Sequence, residues 1–98
     1  MQTLEEIRAR IDEVDERMAE LFAERIELAR KAAEYKRAHG LPAEDAKREV
    51  QILERGVAIF ETASEKTGSN TRESTCRRED YIRFQKAVLQ ISKDAQKR

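Results

Sequence analysis

From Leu4 onward, apolar residues recur every three or four positions, at Leu4, Ile7, Ile11, Val14, Met18, Leu21, Leu28, Ala32 and Tyr35. That alternation keeps one stripe of an α-helix apolar, with coiled-coil spacing over about five heptads. Only Arg25 breaks it. Thr3 stands where a cap belongs, with Glu6 three residues on, and the chain then holds no Gly or Pro until Gly40-Leu41-Pro42. The pattern predicts a very long first helix over residues 4–38, about 50 Å at 1.5 Å per residue. A compact monomer can cover only part of so long a stripe.

Gly40 suits a helix stop, and Leu41-Pro42 forces an extended exit. Asp45 is a credible N-cap for a second helix whose stripe is Val50, Leu53, Val57 and Phe60, with Ile52 and Ile59 widening it. Gly56 weakens that helix without ending it, so it is expected to reach about Ala63. Ser64 through Thr75 follow neither a helical nor a strand period, and residues 64–77 read as a long polar connection with room for a helical extension at either end. A third helix is expected over residues 78–97, with Tyr81, Phe84, Val88, Ile91 and Ala95 in three-four spacing and Leu89 beside them.

Residues 1–98 thus read as one all-α domain of three unequal helices. Hydrophobic residues are 39% of the chain and charged residues 41%, enough apolar material for a narrow seam but not for a thick core. The unpaired length of the first helix makes a homodimer the leading expectation.

Charge excludes more than it suggests. Twenty Lys and Arg balance twenty Asp and Glu, so no global positive field recruits nucleic acid. The modest basic excess of residues 71–98 is spread around the third helix and forms no groove-reading stripe. No segment approaches the roughly 20 apolar residues of a membrane span, and the charged N-terminus lacks the apolar core of a signal peptide. One cysteine, Cys76, and one histidine, His39, cannot build an intrachain disulfide or a zinc knuckle. A soluble, cytoplasmic protein with no metal and no cofactor is expected, with Cys76 buried or half-buried and His39 at a helix end or surface.

Arg25 is the most informative residue, because an unpaired guanidinium on an apolar stripe carries a large desolvation penalty. Either a glutamate meets it in a structural ion pair, or an anionic ligand does. Arg8 and Lys36 flank the same stripe. Arg8 lies 17 residues before Arg25, about 26 Å of helix, so only an antiparallel partner could bring an Arg8 across to the same small ligand. Lys36 is 11 residues beyond Arg25, about 16 Å, a gap that long side chains and a ligand can bridge. Each of these cations is by itself an ordinary surface residue.

At the second helix, Asp45 and Glu49 share a face with Arg48 nearby; Ser92 and Gln96 repeat the four-residue spacing on the third. A cap and surface polarity explain these equally well. Together the positions describe a pocket of cations, carboxylates and neutral donors without a nucleophile and base, so its chemistry would work by orientation and electrostatic stabilisation.

The stretch Leu4-Glu5-Glu6-Ile7-Arg8-Ala9-Arg10-Ile11-Asp12-Glu13-Val14-Asp15, then Leu21-Phe22-Ala23-Glu24-Arg25, Ala33-Glu34-Tyr35-Lys36, and Leu41-Pro42 before Asp45-Ala46-Lys47-Arg48-Glu49, resembles the all-helical AroQ-class chorismate mutases. The resemblance covers the first half of the chain. It implies an intertwined homodimer of three-helix subunits that rearranges chorismate to prephenate, with two equivalent sites and no cofactor.

On the positions that match, Arg8 would be donated by the other chain, and Arg25 and Arg48 would hold the carboxylates of this small dicarboxylate. Lys36, with Gln96, would contact the breaking ether oxygen. Asp45 and Glu49 would face the ring and its hydroxyl, and Ser92 would be a polar wall residue. In the third helix two registers are open: one sets Ser92 and Gln96 on the polar sites, with Gln85 where the family often has an aromatic, and the other turns Ala95 to the ligand. The same scaffold also serves isochorismate-pyruvate lyases and aminodeoxychorismate mutases, and a non-catalytic helical interaction module is the more distant alternative.

Overall fold

The computed structural model describes residues 1–66 and 77–97. Three helices make up the fold: α1 (Leu4–Ala38), α2 (Ala46–Lys66) and α3 (Arg78–Gln96). Local chemistry sets their ends. The Thr3 Oγ1 accepts from the Glu6 amide at 3.1 Å and opens α1. At its other end the Leu41 amide donates to the Lys36 carbonyl and the Gly40 amide to Arg37, the double return bond of a Schellman stop. That stop needs a left-handed residue, and Gly40 supplies it at φ 65°.

Asp45 does cap α2: its Oδ1 accepts from the Arg48 amide at 3.1 Å. The helix passes Ala63 and ends at Lys66, three residues later than expected. Ser64-Glu65-Lys66 offers no apolar period, but it contains no Gly or Pro either, so the helix continues through it. α3 starts at Arg78 as expected, with the Asp80 carboxylate accepting from the Arg77 amide, and stops one residue early at Gln96. The rest of the polar connection, including Cys76, lies outside the described residues except for Arg77.

α3 packs against both α1 and α2, whereas α1 and α2 make no close backbone approach among the described residues. Val57, Val88 and Ala95 are buried along this arrangement, as are Ala33 of α1 and the hydroxyl-bearing Ser92. Gly56 has a specific reason to lack a side chain. A Cβ there would lie 2.5 Å from the Tyr81 hydroxyl, so α3's tyrosine crosses α2 where only glycine leaves space. Tyr81 is itself held, stacked on Phe60 at 5.3 Å between ring centres and tilted against Phe84 at 6.1 Å.

The predicted stripe of α1 is not what the chain buries within itself. Leu4, Ile7, Ile11, Val14, Met18, Leu21 and Phe22 are all exposed, as are Leu28 and Tyr35 further on. The covered residues of α1 are Arg25, Ile26, Ala29, Ala33 and Lys36, all in its second half. α3 is only 19 residues long against 35 for α1, so it reaches only part of the longer helix. The radius of gyration, 16.7 Å, exceeds the roughly 13 Å of a compact chain this size, and the extents are 56 × 27 × 17 Å.

Candidate active site

Where α1 and α2 diverge, the start of α2, the end of α3 and the second half of α1 line an open-sided cavity of about 320 Å³. Arg25 and Lys36 line it from α1, Asp45, Arg48 and Glu49 from the opening of α2, and Ser92 and Gln96 from α3. Seven of the eight residues singled out in the sequence therefore meet at one place. Arg8 does not: it is exposed near the free end of α1, beyond the reach of this cavity within one chain.

The helical period explains each placement. Arg25, Leu28, Ala29, Ala32 and Lys36 are steps of three and four down one face of α1, so the cations stand at either end of a short apolar floor. Ile52 and Leu89 supply apolar wall from the other helices. On α3 it is Gln96, and not Ala95, that faces the cavity; Ala95 is 3% exposed and packs in the core.

Arg25 is half-buried, and its Nη1 donates to the Ser92 Oγ at 2.5 Å. Ser92 is 4% exposed and in turn donates to the Val88 carbonyl at 2.9 Å, which fixes its hydroxyl to receive the arginine. No carboxylate pairs with Arg25 among the described residues. The glutamate partner that would have made this residue purely structural is thus missing from them. Arg48 likewise forms no ion pair there, and the Lys36 Nζ donates to a backbone carbonyl, that of Ala43, at 3.1 Å. Asp45 spends one oxygen on the α2 cap.

Two charged wall residues escape the sequence reading. Lys93 lines the cavity and pairs with the Glu49 Oε1 at 2.6 Å, and Glu44 lies in the loop before the cap. A signal for Lys93 exists: Leu89, Ser92, Lys93 and Gln96 follow the i, i+3, i+4, i+7 signature of one helix face. Glu44 sits in a loop and has no period to betray it. The hydrogen bond to Glu49 raises the Lys93 pKa above its ordinary 10.5; partial desolvation opposes this, and the charges of Glu49 and Glu44 add to it.

His39 caps α1 away from the cavity. Its ring stacks on Tyr35 at 3.9 Å and its Nδ1 donates to the Tyr35 carbonyl. Among the described residues no group of three or more His, Cys, Asp or Glu converges to hold a metal, and no helix is long and apolar enough to cross a membrane.

The site is thus a small cavity in an all-helical bundle, lined by Arg25 and Arg48, which form no ion pair among the described residues. Comparison with known proteins is more specific. The family described as chorismate mutase type II matches residues 7–97. The chain belongs to that family, the all-helical AroQ class. A chorismate mutase of Methanocaldococcus jannaschii is 44% identical over 55 residues, which is 56% of each chain. A T-protein of Haemophilus influenzae is 37% identical over 54 residues, 55% of this chain and 14% of that protein. The chain therefore spans 56% and 14% of the lengths of these two curated relatives. No solved structure gives a significant match.

Proposed function

We propose that this chain is a chorismate mutase, acting as an intertwined homodimer in which each site combines the cavity of one chain with Arg8 of the other. The observation that carries the reading is Arg25: a half-buried guanidinium fixed by a neutral hydroxyl, without a carboxylate partner among the described residues, at the wall of a cavity sized for a small ring. Such a cation is poised for an external anion.

Charge supports a dicarboxylate. Arg25, Lys36, Arg48 and Lys93 face Glu44, Asp45 and Glu49 around the cavity, a surplus of one positive charge. An Arg8 from a second copy raises the surplus to two, the complement of a substrate with two carboxylates. A route for that second copy lies next door. Met18, Leu21, Phe22, Phe84 and Val88 line an apolar groove of about 450 Å³ that shares Arg25 with the cavity, and it continues into the exposed stripe of α1.

The rearrangement of chorismate to prephenate is intramolecular, so the protein contributes no atom to the product. It has to select the compact conformer, in which the migrating enolpyruvyl carbon lies over the ring, and to stabilise charge as the ether bond breaks. Arg8, Arg25 and Arg48 clamp the carboxylates in that conformer. Lys36 and Gln96 donate to the ether oxygen, where negative charge develops in the transition state. Glu49 accepts from the ring hydroxyl, and Asp45 bounds the ring side while holding the helix cap.

Product analysis with chorismate, isochorismate and aminodeoxychorismate tests the reading. Prephenate from chorismate at enzymatic rates is the expected result. Release of pyruvate from isochorismate, with no prephenate formed, would replace it with a lyase on the same scaffold, and absence of any turnover would leave a helical binding module.

A further inference from the structure

The proposed chemistry assigns no task to Lys93, although this residue is built into the cavity. Its ion pair with Glu49 joins the first turn of α2 to the last turns of α3. The other three ion pairs among the described residues are i,i+3 contacts on exposed helix surfaces. Those are of the kind that contributes little. Lys93 and Glu49 are different in that both side chains are about two-thirds covered, at 30% and 32% exposure, and both face the cavity. The pair engages Oε1 of Glu49 and leaves Oε2 for a ligand.

A lone carboxylate at this position would accept from either a hydroxyl or a protonated amine, and Coulomb attraction would favour the amine. A carboxylate already neutralised by an adjacent ammonium behaves otherwise. A neutral hydroxyl still finds an acceptor, whereas a second ammonium comes within a few ångströms of the first. Lys36 and Arg48 bring further positive charge to the cavity wall, and Glu44 and Asp45, the latter capping α2, bring negative charge.

We propose that Lys93 is a positioning residue that sets which ring substituent the cavity admits, by holding Oε1 of Glu49 and standing beside it as a positive charge. The site then takes a ring hydroxyl and turns away a ring ammonium. The inference rests on the chorismate mutase reading and extends it to specificity.

The test compares the unsubstituted protein with Lys93→Met, Lys93→Gln and Lys93→Arg. For each, kcat and KM are measured at neutral pH for chorismate and for the analogue whose ring hydroxyl is replaced by a primary amine, which is protonated there. Both neutral variants are expected to lower the ratio of kcat/KM, hydroxyl over amine, by at least about tenfold, and Lys93→Arg to keep it within about threefold. An unmoved ratio in a variant of normal helix content and assembly mass overturns the proposal while leaving the chorismate mutase reading intact. Loss of the fold in both neutral variants also overturns it, since Lys93 would then be a structural residue. Wild-type protein that turns over neither compound defeats the functional reading, and this inference with it.

Discussion

The two halves of α1 are written in the same three-four period yet live in different surroundings. In the first half, from Leu4 to Phe22, every large apolar residue on the stripe is exposed. In the second, from Arg25 to Lys36, the helix meets α3 and turns charged side chains toward the cavity. Periodicity thus marks a face that must be covered without saying by what. Where α3 reaches, it covers Ile26, Ala29 and Ala33 beside the stripe; the large apolar residues of the stripe itself, Leu28 and Tyr35 included, stay exposed, and in the reading proposed here the first half awaits a second copy. The cavity and the bare stripe meet at Arg25, which lines both the polar cavity and the apolar groove.

The harshest test of this contrast attacks the bare half. Ile11→Asp combined with Met18→Asp places charges on the exposed stripe and is expected to leave a monomer by sedimentation velocity. Turnover should fall by more than about a thousandfold, because both the cover and the donated arginine are lost. A fully active monomer would show that the two halves work independently.

Lys36→Ala strikes the cavity-lining half alone. It is expected to lower kcat by at least about a hundredfold with the dimer intact, as for loss of one well-placed donor to developing negative charge. Near-normal turnover would take Lys36 out of its proposed role.

Mixing joins the halves. An Arg8→Ala chain mixed with an Arg25→Ala chain, after exchange of subunits, should recover about a quarter of wild-type activity, since half of the dimers are mixed and each of these holds one intact site. No recovery would mean that Arg8 and Arg25 do not serve one site from two chains.

Two smaller effects probe the packing that shapes the cavity. Gly56→Ala should lower stability in chemical denaturation by up to about 2 kcal/mol, an overpacking cost of about 1–3 kcal/mol against Tyr81 less a gain of about 1 kcal/mol in helix propensity. A stabilised variant would show that Tyr81 can swing aside.

The Lys93–Glu49 pair has a pH signature of definite sign. Because Lys93 titrates higher in the folded chain than its ordinary 10.5, its contribution is complete below that value and is lost as pH rises through the raised one. The difference in melting temperature between wild type and Lys93→Met should therefore stay constant from neutral to mildly alkaline pH and shrink only above 10.5. A difference that disappears by mildly alkaline pH would contradict the assignment.

Much of the molecule is legible in one dimension because its causes act over three or four residues. Thr3 and Asp45 cap helices through bonds to amides three positions on, and Gly40 ends α1 by a conformation few other residues adopt. The same short range makes Arg25 conspicuous, a charge set among apolar neighbours of its own stripe. Helical spacing also gathers Arg25 with Lys36, and Asp45 with Glu49, before any tertiary contact is known. Carrying α2 past Ala63 required only that nothing stop it, a weaker signal than a cap.

Tertiary structure decided the rest, because contacts between residues far apart in the chain depend on how helices are rotated and how far each reaches. Ser92 receiving Arg25 and Lys93 pairing with Glu49 are such contacts. The placement of Gln96 at the cavity and of Ala95 in the core was open between two registers, and a rotation of about 100° per residue separates them. The internal face of α1 was likewise set by α3, whose shorter span covers Ile26, Ala29 and Ala33 and leaves the longer stripe bare. Sequence determined which residues can share a helix face; packing determined which faces meet, since burial is a property of pairs of surfaces and not of either one alone.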